Sequence, residues 1–462
     1  MPRIARCYLV WISLFGCIGC ALVSASAQVL TMESAIDASF AQYPTLAARR
    51  SALEAIRANA QVVRDNRLPN VRVHDQINVG TANGLSGSYF SLGLIVPTSG
   101  GRRPGNYGDL ASGNIALASA DWEVFNFGRF TAEDQLIRAD VGVGEAGLER
   151  EQFELRQTVI RTYLDLFWTE QSLFIEERNL ARVDTVRRII GNLVRNGIRP
   201  GLDSSLANVA FSRARLAYLR MQEERQRAQV QLATLTGRPV EQIAIDTTFQ
   251  IEPLLIPVAV SVAVPGHPLL RLQERLVTRQ AAEIATIRKS ALPRVSLLAS
   301  AWARGTSLDI ENNFGPVASG LGYSRTNYLL GVAATVNLMD FRRAASRTRL
   351  QRFRVEEARS QLALAQLQIQ NALGIADAQL TVVQTQLAEL PLVIRSAQDA
   401  YNQRLSLYNN GLETILSLTD ALTLLTTVEK EAVQTRMQAV RLRFQRAQAT
   451  NDFDTFYALF RR

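Results

Sequence analysis

Residues that bind metals or carry redox chemistry are scarce in this sequence. Its 462 residues include two histidines, His74 and His267, and three cysteines, Cys7, Cys17 and Cys20. All three cysteines precede residue 21, so neither a disulfide framework nor a Cys/His metal site can be built from the rest of the chain, and no cofactor is expected. A Walker-type phosphate loop is missing, which leaves the chain without an energy source of its own. With no nucleophile motif and no Ser-His-Asp order, an enzyme is not expected either. Basic residues exceed acidic ones only modestly, 51 against 42, and form no runs, which argues against a nucleic-acid partner. After the first 27 residues, no apolar stretch reaches the ~20 residues of a membrane-spanning helix. The longest runs from Pro253 to Pro265 and is broken by Pro257. If the mature chain crosses a membrane, it does so as a β-barrel.

The chain begins with an address. Arg3 and Arg6 precede an apolar run from Cys7 to Val23, and Ala25-Ser26-Ala27 supplies the small residues of a cleavage site. Residues 1–27 read as a secretory signal peptide. The alternative is lipidation at Cys17 or Cys20, although Phe15 is bulky for that motif. The Cys17-Ile-Gly-Cys20 spacing inside an apolar signal reads as chance rather than a redox pair.

What remains is a tandem repeat. Tyr43-Pro44 opens a helical stretch that stops at Leu68-Pro69-Asn70-Val71, and His267-Pro268 opens one that stops at Leu292-Pro293-Arg294-Val295, an offset of 224 throughout. Trp122 to Arg129 faces Val336 to Arg343, and Asn196-Gly197 faces Asn410-Gly411, both offset by 214. The change in offset falls between the paired strands, where loop length is free to vary. The first repeat is expected over 28–236, with a strand hairpin at 70–125, a long helix at 129–195 and a helix at 203–236. A Pro-rich, β-branched linker follows at 237–266. The second repeat is expected over 267–462, with a hairpin at 294–339, a long helix at 342–409, a helix at 415–450 and a tail.

The stretch 129–195 has no proline, and as a helix it would extend ~100 Å. A compact chain of this size has a radius of gyration of only about 22 Å. Elongated coiled coils are therefore expected, with a kink at Pro391 in the second copy and weak spots at Gly142, Gly144 and Gly147 in the first.

The strands alternate. Val71, Val73, Ile77 and Val79 are interleaved with Arg72, His74, Gln76 and Asn78. Ala118, Ala120, Trp122 and Val124 follow the same rule, as do Tyr328, Leu330, Val332 and Ala334. Leu329 breaks it, and Leu298 and Trp302 blur the segment from Val295 to Arg304. A half-buried sheet in a soluble sandwich would look similar strand by strand. An apolar-out, polar-in pattern in both halves behind a secretory signal fits an outer membrane barrel better. Four strands cannot close a barrel, and open edges are not tolerated in lipid. Two copies would give eight strands, too narrow for a channel, whereas three give twelve under cyclic symmetry.

The ordered motifs resemble those of the TolC-type outer membrane efflux proteins over essentially the whole mature chain. Leu30-Thr31-Met32-Glu33-Ser34-Ala35-Ile36 with Tyr43-Pro44-Thr45-Leu46 is similar to the family's amino-terminal signature. Leu68-Pro69-x-Val71 and Leu292-Pro293-x-Val295 resemble its approach to each hairpin, and Trp122-x-x-Phe125-Asn126-Phe127-Gly128-Arg129 its exit into the long helix. The resemblance implies an α+β membrane protein: a tandem-repeat, long α-helical coiled-coil barrel forming a periplasmic tunnel, with four β-strands per chain contributing to a trimeric 12-stranded transmembrane β-barrel. It further implies a cell outer membrane location and a passive conduit for small molecules, working with a periplasmic adaptor (membrane fusion protein) and an inner-membrane pump.

Carried over residue by residue, the resemblance implies a periplasmic gate. Asp203, in Gly197-Ile-Arg-Pro-Gly-Leu-Asp203, would be restrained by Tyr408, in Tyr408-Asn-Asn-Gly411. Asp420 would form an acidic ring favouring cations, with Ser417 where a second aspartate can stand. Glu413 occupies a place where some members carry an arginine, which departs from the family's closing network. Plainer readings are Asp203 as a helix N-cap, Asp420 on a solvated face and Tyr408 as packing. The turns at Asn196, Gly197, Asn410 and Gly411 would dock the adaptor, and they would also serve simply as helix stops. Competing functions are the duct of a type I protein secretion system and, from another class, a soluble periplasmic coiled-coil adaptor or scaffold lacking the strands.

Overall fold

A computed structural model of the chain describes residues 29–84, 103–247 and 266–460. The expected signal with Cys17 and Cys20, and linker residues 248–265, lie outside the described residues. Eight α-helices and four strands are described: α1 Met32–Gln42, α2 Pro44–Asp65, β1 Asn70–Thr81, β2 Leu110–Phe125, α3 Arg129–Arg195, α4 Gly201–Thr236, α5 Pro268–Lys289, β3 Arg294–Thr306, β4 Arg325–Thr335, α6 Leu338–Asn409, α7 Ile415–Thr450 and α8 Asp454–Tyr457. The chain divides into two compact units, and each draws on both halves of the sequence. The repeat is thus one of element order, while the units are assembled across it.

The unit built from residues 1–41, 159–249 and 394–433 has a helical core. Val183, Val186 and Ile190 of α3 pack with Tyr401 and Tyr408 of α6 and with Ile415, Leu418, Leu422 and Leu425 of α7. The alternating three- and four-residue spacing on α3 and α7, and the seven-residue step on α6, are those of a coiled-coil seam. Above this apolar stretch the seam turns polar. Arg182 donates to both carboxylate oxygens of Glu429 at 3.0 and 2.5 Å, and Lys430 pairs with Glu176 at 2.6 Å. Leu30 is tied into the same unit. Its N–H donates to the Ala244 carbonyl at 2.7 Å, and its own carbonyl accepts from the buried Tyr163 hydroxyl at 3.1 Å.

The unit built from residues 42–158, 250–393 and 434–462 holds the sheet and the helices that lead into it. Both α2 and α5 run for 22 residues and begin at a proline, whose fixed φ suits a first helical position. For α5, His267 supplies the cap. Its Nδ1 accepts from the Leu269 N–H at 3.2 Å while Nε2 donates to the Gln448 carbonyl at 3.0 Å, which fixes the neutral tautomer. Burial lowers the pKa of this imidazole, so it stays uncharged. Along α3, Asp134, Glu145 and Glu151 meet Arg67, Arg57 and Arg49, while Asp140 and Glu149 meet Arg279 and Arg271 of α5. Exposed and half-exposed pairs of this kind add little energy individually. Gly144 has a packing role: a Cβ there would sit 3.0 Å from Leu53 and Ile56 of α2.

The start of the second long helix differs from the sequence reading. The second long helix starts at Leu338 rather than Arg342, because the Asn337 side chain accepts from the Met339 N–H at 3.1 Å and caps it earlier. It continues as helix across Pro391. In the first copy α3 is continuous through Gly142, Gly144 and Gly147.

The sheet is antiparallel in the order β1-β2-β3-β4, so the two halves join through β2 and β3. Register places Val71–Ala120–Ala299–Leu330 and Val73–Ala118–Ala301–Tyr328 in rows on one face, with Trp122–Leu297–Val332 beside them. Val73, Tyr328, Leu330 and Val332 are each more than 70% exposed, so these rows have no cover among the described residues. The opposite face carries Arg72, His74, Ser119, Ser300 and Asn327. Leu298, Trp302 and Leu329, which blurred the sequence pattern, all point to that second face. The outer edges of β1 and β4 have no strand partner among the described residues.

Candidate functional site

The expected gate residues all fall in the first unit. Asn196-Gly197 ends α3 and Asn410-Gly411 ends α6, with Gly197 at φ 72° and Gly411 at φ 77°. This left-handed conformation is costly for a side chain bearing Cβ, which accounts for glycine at both places. The Ile198 N–H donates to the Leu193 carbonyl at 2.9 Å, and the Leu412 N–H donates to the Leu407 carbonyl at 3.0 Å. Both turns are therefore Schellman motifs with equivalent bonds 214 residues apart. They leave Ile198 and Leu412 exposed, with Leu202 and Leu416 exposed just beyond.

Asp203 and Tyr408 come together. The Tyr408 hydroxyl donates to Asp203 Oδ2 at 3.4 Å, long for a bond to a carboxylate. Tyr408 is 1% exposed, so it is both packed in the core and bonded at its tip. Burial raises its pKa, and the neighbouring carboxylate adds to the rise, so the hydroxyl keeps its proton. The N-cap of α4 is Pro200 rather than Asp203. Asp203 sits in the first turn, where a negative charge complements the helix dipole.

A residue that sequence reasoning missed joins the two turns. Arg199 donates to the Glu413 carbonyl at 3.0 Å and the Tyr408 carbonyl at 3.4 Å, and its guanidinium lies 4.8 Å from the Tyr408 ring centroid. The repeat carried a hint, since Arg199 and Glu413 occupy equivalent positions with opposite charge. The Glu413 carboxylate itself pairs with Arg404. Asp420 is not drawn into this cluster. It stands exposed on α7 and has no hydrogen bond or ion pair among the described residues, while Ser417 bonds to Thr414 at 3.1 Å.

On the polar face of the sheet, in the second unit, register puts Arg304 directly opposite Arg325. Like charges in that position cost stability, and neither arginine has an acidic partner among the described residues. Only the register reveals this pair. No described helix is long and apolar enough to cross a membrane, and no group of described residues could hold a metal ion.

Comparison with known proteins agrees with this architecture. The OprN outer-membrane channel superimposes with a TM-score of 0.69 at 20% identity, covering 91% of this chain and 89% of that one. VceC of Vibrio cholerae gives 0.70 at 15% identity, covering 91% and 95%. The open state of the MtrE outer membrane channel of Neisseria gonorrhoeae gives 0.65 at 16%, covering 91% and 88%. At such identities the likeness establishes the fold. No curated protein sequence matches. The profile of the outer membrane efflux proteins matches residues 35–238 and 260–451, most of the length, and the chain belongs to that family.

Proposed function

We propose that this protein is the outer membrane channel of a tripartite efflux system: a passive homotrimer that exports small molecules delivered by an inner-membrane pump through a periplasmic adaptor. The observation that carries this reading is the sheet. Among the described residues it has two unpaired edges and one face of exposed Val, Leu and Tyr, a combination that neither water nor a bilayer accommodates until the edges are closed. Joining β1 of one copy to β4 of the next closes twelve strands, sets the apolar face against lipid and turns the arginine-bearing face inward. The helical units would then form the periplasmic tunnel, with the Asn196-Gly197 and Asn410-Gly411 turns and their exposed leucines as the adaptor's docking surface. A protein secretion duct would use the same architecture, since the pump selects the cargo. A soluble adaptor has no use for the sheet.

In the gate, Tyr408 and Arg199 hold the two turns together, and three copies of Asp420 form the acidic ring. Purified protein in planar bilayers tests both roles. Asp420→Asn is expected to lower the cation-to-anion permeability ratio, and an unchanged ratio would remove Asp420 from the conduction path. Tyr408→Phe is expected to favour the open state by up to about 1 kcal/mol per chain, the worth of one ordinary hydrogen bond. Absence of any conductance from the unaltered protein would overturn the channel reading itself.

A further inference from the structure

The apolar face of the sheet is interrupted at one end by polar residues, three of them on β1 and β2. Asp75 lies in the row Asp75–Ala116–Ala303–Thr326, Asn114 pairs with Ile77 and Gly305, and Ser112 pairs with Val79. Each of them bonds to the connection between β3 and β4. The Tyr323 hydroxyl donates to Asp75 at 3.0 Å, Asn114 donates to the Leu321 carbonyl at 3.0 Å, and the Ser112 hydroxyl donates to the Val317 carbonyl. The Ser112 N–H and carbonyl also bond to Ser307, at 2.8 and 3.0 Å. Two glycines make the seat possible. A Cβ on Gly305 would lie 1.6 Å from the Gly322 carbonyl oxygen, and one on Gly320 would lie 2.2 Å from the Ser112 hydroxyl. Arg103 adds a further tether, donating to the Asn312 carbonyl at 2.6 Å with its guanidinium 4.2 Å from the Phe314 ring centroid.

From this geometry we infer that residues 307–324 form a collar latched onto the lipid-facing side of the barrel, where they meet outer-leaflet lipid instead of covering the pore. The inference rests on the barrel reading above, which sets the apolar face outward. Residues on that face rise about 4.8 Å per row for a strand tilted near 45°, so the four apolar rows below Asp75 reach roughly 15–20 Å. The apolar band of an outer membrane is about 25 Å tall. The outer surface of the collar exposes Val317, Leu321 and Tyr323, which supply the missing height, and Ile310 is 93% exposed. Irregular backbone is not tolerated in bare hydrocarbon. Here Ser112 and Asn114 bond the Val317 and Leu321 carbonyls and the Ser112 carbonyl accepts from the Ser307 N–H, and the collar marks the upper edge of the band.

All three cysteines precede residue 21, so a single cysteine introduced by Leu321→Cys can carry a nitroxide label. In trimers reconstituted into phospholipid vesicles, the label should be relaxed more by oxygen, which concentrates in lipid, than by a water-soluble nickel chelate. Adding Asp75→Ala, Ser112→Ala and Asn114→Ala should reverse that ratio. Preference for the nickel chelate in the latched protein would overturn the collar, and should the triple variant fail to assemble, the latched protein alone decides. Replacing residues 308–321 by a short Gly-Ser link should leave single-channel conductance unchanged, whereas a marked increase would show the segment to be a lid. A protein that gives no conductance at all with its loop intact would instead indict the barrel reading.

Discussion

Leu330→Arg should abolish trimer assembly in the outer membrane, whereas Gly331→Arg, one residue along β4, should be tolerated. Leu330 is 76% exposed in the middle of the apolar face, and a guanidinium there would be placed in hydrocarbon. The cost is about 2–4 kcal/mol per chain near the midplane. Three copies assemble together, so the penalty enters the trimer three times. Gly331 points to the polar face, and a Cβ added there meets nothing within 4 Å. Comparing the trimer bands of the two variants on unheated gels isolates the face from the strand, because both place arginine in the same edge strand. Equal assembly would mean that this face does not meet lipid.

Glu429→Leu should produce the largest loss of helical stability from a single substitution. Its carboxylate is 8% exposed and takes two bonds from Arg182, with Arg178 a third neighbour at 3.5 Å. Removing it leaves the largely buried Arg182 without its main counter-charge, which costs up to about 3–5 kcal/mol. The double variant Arg182→Leu with Glu429→Leu should recover most of that loss, because two leucines continue the apolar seam formed below by Leu418, Leu422 and Leu425. A double-mutant cycle on the urea midpoint of the detergent-solubilised protein measures the coupling. Additive losses would show that the pair is not the polar lock of this coiled coil.

What could be read from sequence was whatever has a local period. The long helices declared themselves by composition, the first also by missing proline, and the turns by Asn-Gly at matching offsets. Strand faces were legible wherever alternation was clean, as from Val71 to His74. It failed at Leu298 and Trp302, since large apolar residues on the polar face carry no local mark, and the register of β3 against β2 was needed to assign them. Long-range pairings were likewise hidden. Nothing in the sequence showed that β2 would join β3 across the repeat, that Asp75 would meet Tyr323 248 positions away, or that Arg199 would bridge to Glu413. The Asp203–Tyr408 contact was foreseen only by resemblance, and its bond is longer than a charge-assisted one usually is.

The central claim is that one chain supplies a third of a closed barrel. Native mass spectrometry of the protein extracted from outer membranes in detergent tests it most directly. The expected result is a particle of three chains that needs detergent to remain in solution. A monomer that stays soluble without detergent would contradict it.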